Sequence, residues 1–291
     1  MSKLIVIVGI TGNQGGSVAS TFLQDPAWRI RGLTRDLQSD ASQALSAKDV
    51  FKGANLVFSV TDFWKPFFNL ANIARAKKEG KSIGRLAYEL ELEQGKNIAD
   101  AVAREVDSLD EVGFIASTLC SARDSSKGKY KELWHFDGKA NVFPPYVESK
   151  YPDLAKKTSY LHTGNFFTSW KFLPGRWSAN QLPPNSVLMA ATEWLTWPEW
   201  IKLFGEVTGV KTSYKQTTIE DIEAYLPGGA GKEIGEMYKF SEEFAYNAFQ
   251  QGTLKTWDLE KMGFKVLVTT LKSYIESEDW VAAGILKGSK A

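Results

Sequence analysis

The stretch "LIVIVGITGNQGGSVASTFLQD" (Leu4 to Asp25) places four glycines within eight residues, Gly9 to Gly16, between an apolar run and a segment of helical spacing. A run such as "LIVIVG" (Leu4 to Gly9) is apolar throughout and reads as a strand buried on both faces. "SVASTFLQD" (Ser17 to Asp25) reads as the helix that follows it. Backbone N–H groups at a helix N-terminus carry partial positive charge, and glycine leaves a diphosphate unobstructed access to them. The spacing is Gly9-x-x-Gly12-x-x-Gly15 with Gly16 next, rather than the tighter G-x-G-x-x-G. Seated between a strand and a helix, this loop predicts dinucleotide binding; a plain structural turn is the competing reading.

Outward from the loop, "RIRGLTR" (Arg29 to Arg35), "ANLVFSVT" (Ala54 to Thr61), "EVGFIAST" (Glu111 to Thr118) and "TSYLHTG" (Thr158 to Gly164) read as further strands. Between them, Arg85 to Glu105 carries Leu86, Leu90, Ile98, Ala101 and Val102 at helical spacing, and "HFDGKANVF" opens another helix. Strands alternating with helices predict an α/β fold with a doubly wound parallel sheet. Gly95, inside the long helix, marks close packing on a neighbour. Past Gly164 the texture changes. "TSWKFLPGRWSANQLPPNS" (Thr168 to Ser186) has no clean period and suits a lid or binding loop. "SVLMAAT" then reads as a strand, "TWPEWIKLFGEVTGVK" as a helix with Pro198 in its first turn, and Gly231 to Gln250 as a longer helix. The expected division is a nucleotide-binding domain over 1–165 and a small α+β substrate or lid domain over 166–291, with some strands returning to the main sheet.

Composition excludes several classes. Lys and Arg number 35 against 34 Asp and Glu, so no basic field favours nucleic acid or an anionic membrane. No stretch reaches the eighteen or more apolar residues of a spanning helix, and the start "MSKLIVIVGI" lacks a cleavage site, so the chain is expected in the cytoplasm or nucleus. One cysteine, Cys120, and two histidines, His135 and His162, exclude a disulfide framework and argue against a Cys/His metal site.

The end of the second strand bears on which dinucleotide is held. An acid there bonds the ribose 2′-hydroxyl of NAD, whereas an arginine favours the 2′-phosphate of NADP. The chain offers Thr34 and Arg35, with Asp36 immediately after. A guanidinium grips phosphate bidentately and stacks on adenine, so Arg35 predicts NADP(H), against the plainer reading of a solvated strand-end arginine.

Taken together, "VGITGNQGGSVA", "RGLTRD", "NLVFSVTDFW", "EQGKNIADAVA", "HFDGKANV" and "YPDLAKKTSYLHTGNFF" resemble the NmrA-like group of atypical short-chain dehydrogenases, in its fungal and redox-sensor branches. The resemblance runs in order from Leu4 to about Trp170 and resumes more weakly from Thr192 to Trp280. It implies a Rossmann-like domain with a small C-terminal substrate domain, NADP(H) as cofactor, and functions from NADPH sensing to true reduction. Carried over by position, Gly9, Gly12, Gln14 and Gly15, with Thr11 and Asn13 beside them, would line the pyrophosphate, Arg35 the 2′-phosphate and Lys139 the nicotinamide ribose. Two departures stand out. Only twenty residues lie between Arg35 and Leu56, too few for a helix, strand and helix, so one edge strand is expected to be missing. A loop is likewise expected to replace a strand and helix before "PPNSVLMAAT".

For chemistry, an ordinary short-chain dehydrogenase needs Tyr-x-x-x-Lys on one helix face. Tyr146 and Lys150 match that spacing, but seven residues separate Lys150 from Thr158, and Pro144 and Pro145 stand where the preceding helix would run. His135 and Lys139 leave room for a helix and turn and are the resembled family's own pattern, so they are favoured. His135 is then either a general acid, with Lys139 holding the ribose, or part of an idle site in a protein that reports the NADPH/NADP ratio. Ser117 and Thr118 end the fourth strand, where a hydroxyl would bond a substrate carbonyl, and Asn165 would face the nicotinamide. Trp64, Phe166, Trp170 and Trp177 are the aromatic substrate candidates, while Trp194, Trp197 and Trp200 fit core or dimer packing. The leading expectation is an NADP(H)-dependent oxidoreductase acting on a bulky aromatic small molecule, an imine or conjugated double bond, with rearrangement or ring closure as a coupled step. The alternative is an NADP(H)-sensing regulator that docks on a protein partner, and a homodimer fits either.

Overall fold

The computed structural model describes residues 2–34, 50–164, 187–226, 228–264, 266, 268–283 and 285–286. Seven strands form one parallel sheet: β1 (Lys3–Val8), β2 (Trp28–Leu33), β3 (Leu56–Ser59), β4 (Phe114–Thr118), β5 (Thr158–Thr163), β6 (Val187–Ala190) and β7 (Leu254–Lys255). Their spatial order is β2-β1-β3-β4-β5-β6-β7. The first connection leads to one side of β1 and the second returns to its other side, where Ile5 registers with Leu56. That reversal opens a crevice beyond the C-terminal ends of β1 and β3. Among the described residues no strand pairs with the outer edge of β2.

Alternation along β1 explains the three layers. Leu4, Val6 and Val8 pack on one face with Ile98, Ala99, Val102 and Phe143. Ile5 and Ile7 point the other way, onto Val18, Ala19 and Phe22. Each such fully buried aliphatic side chain contributes about 1.5–3 kcal/mol through removal from water. Both faces of the sheet are therefore covered along β1, whose residues Leu4 to Val8 are all buried and apolar.

Helix α1 (Asn13–Phe22) begins four residues earlier than "SVASTFLQD" suggested, within the glycine run itself. Through residue 164 the helices after α1 are α2 (Trp64–Phe68), α3 (Leu70–Lys78), α4 (Ile83–Ala103), a single turn at Ala122–Ser125, α5 (Trp134–Ala140), α6 (Pro145–Lys150) and α7 (Pro152–Lys156). The long helix α4 follows the expected span, and a Cβ on Gly95 would stand 3.0 Å from Val142, the close approach anticipated there.

Residues 1–190 and 217–266 form one compact unit; 191–216 and 267–291 form a second. Strands β6 and β7 extend the main sheet, and α9 (Ile219–Tyr225), α10 (Ala230–Phe244) and α11 (Thr256–Lys261) belong to the first unit. The second unit contains α8 (Trp197–Thr208), capped by Thr196 and Glu199, and α12 (Leu271–Ser277). Within it Trp200 stacks on Phe204, which meets Trp280 edge-on. The helix expected over 231–250 stops at Phe244, where Ala245 turns to positive φ.

Candidate functional site

The glycine turn lies at the crevice. Gly9 adopts φ 78°, and a Cβ on it would meet Val60 at 2.9 Å, so glycine is required both for the turn and for its approach to the end of β3. Gly15 is buried and serves packing instead, since a Cβ there would overlap the Gly9 carbonyl and stand 2.9 Å from Ile10 Cα. Its bareness seats α1 directly on the turn. Gly12 is the N-cap of α1, is exposed, and caps the helix with no side chain. Among the described residues no side chain caps the first amides of α1, an arrangement open to an anion. Gln14 is buried beside them with its Oε1 unpartnered, and Thr11 Oγ1 meets Thr34 Oγ1 at 3.0 Å, tying the turn to the end of β2. An uncapped ten-residue helix behind an exposed glycine fits a diphosphate.

Beyond β3 the chain enters an aromatic cage. Asp62 Oδ1 accepts the N–H of Trp64 at 2.9 Å and starts α2, which brings Phe63 and Trp64 to His135 with Phe67 packed on those two rings. The His135 ring lies 5.2 Å from that of Trp64, 5.8 Å from Phe63 and 4.9 Å from Phe136. Two residues expected separately, Trp64 and His135, therefore share one wall. His135 is buried, and Glu233 Oε1 lies 2.7 Å from its Nδ1 while accepting its main-chain N–H at 2.8 Å.

Lys139, one turn further along α5, ion-pairs with the fully buried carboxylate of Glu91 on α4. Glu91 Oε1 also accepts the Thr61 hydroxyl at 2.8 Å. A Cβ on Gly138 would stand 2.5 Å from Glu91 Oε2, so the "DGK" glycine admits the acid. One N–H of the ammonium goes to Glu91, which leaves two of its three donors for a ligand. Asp137 faces away from the cage: its Oδ1 accepts the Ala122 amide at 2.9 Å, and burial pushes its carboxyl up to about 6.

The competing pair does assemble. Pro145 occupies the first turn of α6 rather than blocking it, and Tyr146 donates to Asp100 Oδ1 at 2.7 Å with Lys150 Nζ 2.6 Å from the phenol oxygen. Asp100 lies nine residues beyond Glu91 on α4, about 13 Å along the helix axis. Because α4 runs back toward the strand N-termini, this places Tyr146 and Lys150 away from the crevice.

Ser117 is buried at the end of β4, opposite Leu161, and no hydrogen bond joins it to His135 or Lys139. Thr118 Oγ1 is occupied by the Phe143 carbonyl at 3.1 Å. Burial pushes the Cys120 thiol up to about 12, as a packing residue rather than a nucleophile. Arg35, Asn165, Phe166, Trp170 and Trp177 lie outside the described residues, as do the expected crossover helix before residue 50 and the loop over 168–186. Among the described residues no three His, Cys, Asp or Glu gather as a metal site, and no helix is long and apolar enough to cross a membrane.

The residues missed from sequence are Glu91 and Glu233. Glu91 lies on the stripe Ala87, Glu91, Gly95, Ile98 and Val102, the buried face of α4. A charge on an apolar stripe signals a buried partner, and the sequence carries that signal.

A doubly wound parallel sheet with a bare glycine turn at its switch point defines a Rossmann-like α/β protein. The chain belongs to the NmrA-like family, whose model matches residues 1–169. It is 36% identical over 138 residues to the NmrA-like family domain-containing oxidoreductase lnaB of Aspergillus flavus, covering 45% of this chain and 39% of that protein. It is 27% identical over 278 residues to the oxidoreductase ptmS of Penicillium ochrochloron, covering 84% and 72%. The match thus spans well under two thirds of lnaB. Among solved structures, a nucleoside-diphosphate-sugar epimerase from Staphylococcus aureus superposes with TM-score 0.55 at 13% identity, over 95% of this chain and all of that one, a likeness of fold.

Proposed function

We propose that this protein is an NADP(H)-dependent oxidoreductase that moves hydride to or from a bulky, flat, apolar molecule carrying an imine or conjugated double bond. The observation that carries this reading is the exposed, uncapped start of α1 at the crevice, with Lys139 and the His135 cage beyond the adjoining strand ends. The naming of relatives such as lnaB and ptmS as oxidoreductases supports the reaction class. The preference for NADP(H) rests on Arg35 in the sequence.

In this reading the α1 amides and Gly12 hold the diphosphate, and Lys139 reaches the nicotinamide ribose with the donors Glu91 leaves free. When bound, the cofactor supplies a hydride equivalent. The half-buried indole of Trp64 stacks a planar substrate beside His135, and the buried rings of Phe63 and Phe67 exclude water behind it. His135 gives a proton to the substrate heteroatom, a lighter demand for an imine than for a simple ketone.

A sensing regulator is the second reading. It is favoured by Phe68, Leu70 and Ile73, which leave 55%, 81% and 43% of their surface exposed beside the cage, a patch that a protein partner would cover. Transfer of deuterium from 4-deuterated NADPH to a panel of conjugated imines and enones tests the enzyme. Label in a product, lost in His135→Ala with NADPH binding kept, supports catalysis; NADPH binding with no labelled product on any acceptor supports the sensor.

A further inference from the structure

A second glycine cluster, Gly228 to Gly231, has no place in the nucleotide crevice. Gly229 adopts φ 89° and its bare Cα faces Phe67, where a Cβ would stand 3.7 Å from the ring. A Cβ on Gly231 would stand 2.7 Å from the Ile222 carbonyl. These glycines let the start of α10 pass between α9 and the aromatic cage. The approach delivers one acid, Glu233 in the first turn of α10, to the underside of His135.

The contact is specific. Glu233 Oε1 accepts the His135 main-chain N–H at 2.8 Å, a bond in which the amide can only donate. The same oxygen lies 2.7 Å from Nδ1, and the two side chains are only 8% and 4% exposed. A carboxylate that accepts from the amide accepts from the ring as well, which requires the proton on Nδ1. Nε2 has no hydrogen-bond partner among the described residues, and the ring sits among Phe63, Trp64 and Phe136.

We propose that Glu233 is a positioning residue that holds neutral His135 as the Nδ1–H tautomer and reserves Nε2 as the atom that exchanges protons in the cage. In catalysis bare Nε2 first takes a proton from solvent water; that Nε2–H proton then passes to the substrate heteroatom, the N–H bonding pair stays on Nε2, and His135 returns to the neutral form with the Nδ1 proton shared with Glu233. The arrangement follows the general logic of a histidine oriented by a buried acid. The catalytic part rests on the proposed oxidoreductase reading; the tautomer does not.

The test is a long-range proton–nitrogen spectrum of the 15N-labelled full chain without nucleotide, at alkaline pH where imidazoles are neutral. With two histidines in the chain, His162→Gln assigns the signals. The expected spectrum shows His135 protonated at Nδ1 and bare at Nε2. Glu233→Gln lowers the Nδ1–H to Nε2–H ratio at least about tenfold, and lowers kcat about a hundredfold while leaving the NADPH dissociation constant unchanged. If Glu233→Gln fails to fold, Glu233→Asp carries the same comparison. An Nε2–H tautomer in the unmodified protein, or a ratio unmoved by either variant, overturns the proposal. The expected tautomer in a protein that shows no turnover overturns the enzyme reading and leaves the positioning role standing.

Discussion

Gly15 lies against the main chain of Gly9 so closely that a methyl group at position 15 would overlap the Gly9 carbonyl and stand 2.9 Å from Ile10 Cα. Gly12, three residues earlier, is exposed, and a Cβ there meets only Gly9 O at 3.3 Å. The two glycines therefore separate folding from binding. Gly15→Ala is expected to cost about 1–3 kcal/mol, seen as a lower urea midpoint, because neither neighbouring backbone segment can give way. Gly12→Val is expected to keep the midpoint and lose nucleotide affinity, measured by titration. Equal stability losses in both variants would contradict this division.

The ion pair of Glu91 with Lys139 yields a second expectation. Glu91→Gln leaves a largely buried ammonium without its counter-charge, at a cost of about 3 kcal/mol. Lys139→Met in the Glu91→Gln background should recover most of that loss, since neither charge is then stranded. A double-mutant cycle from denaturant unfolding reads this coupling, and strict additivity would show that the pair carries no interaction.

Two buried groups make opposing contributions to stability as pH changes. Burial raises the Asp137 carboxyl from 3.8 to about 6, so the folded chain holds a proton that the unfolded chain releases, and stability is lost as pH rises through that window. Burial lowers His162 from 6.5 to about 4, so the folded chain refuses a proton that the unfolded chain takes, and stability is lost as pH falls through its window. The two slopes offset each other between about 4 and 6. Asp137→Asn should unmask a stability that climbs with pH across that range, and His162→Gln one that falls. Urea midpoints measured at several pH values check the signs, and two variants with the same slope would refute the assignment.

Tyr146→Phe distinguishes the two lysine pairs. Tyr146 bonds Asp100 near the strand N-termini, so its loss should cost about 1 kcal/mol of stability and leave turnover unchanged. His135→Ala should abolish turnover with NADPH still bound. Steady-state kinetics on both variants decides, and a loss of turnover in Tyr146→Phe would move the chemistry to the other pair.

Much of the fold is legible in the sequence because burial acts on whole strands. The apolar runs of β1 and β3 and the helical period of α4 need no tertiary information. The start of α1 is hidden because glycines lower helix propensity, yet here Gly15 and Gly16 lie inside the helix, where packing on the turn outweighs that cost. β7 is invisible because two residues carry no period. His135, Lys139 and Trp64 can be named from sequence, and the structure brings His135 and Trp64 into ring contact. Glu233 cannot, since its partner lies 98 residues away and only three-dimensional packing joins them.

Enzyme and sensor alike require the glycine turn at the crevice to hold a nicotinamide dinucleotide. Calorimetric titration of the whole chain with NADPH, with NADH in parallel, is the decisive check. Saturable one-to-one binding of NADPH is expected, weakened at least about tenfold in Gly12→Val, a loss of about 1.4 kcal/mol. No heat with either nucleotide, or full affinity retained in Gly12→Val, would contradict it.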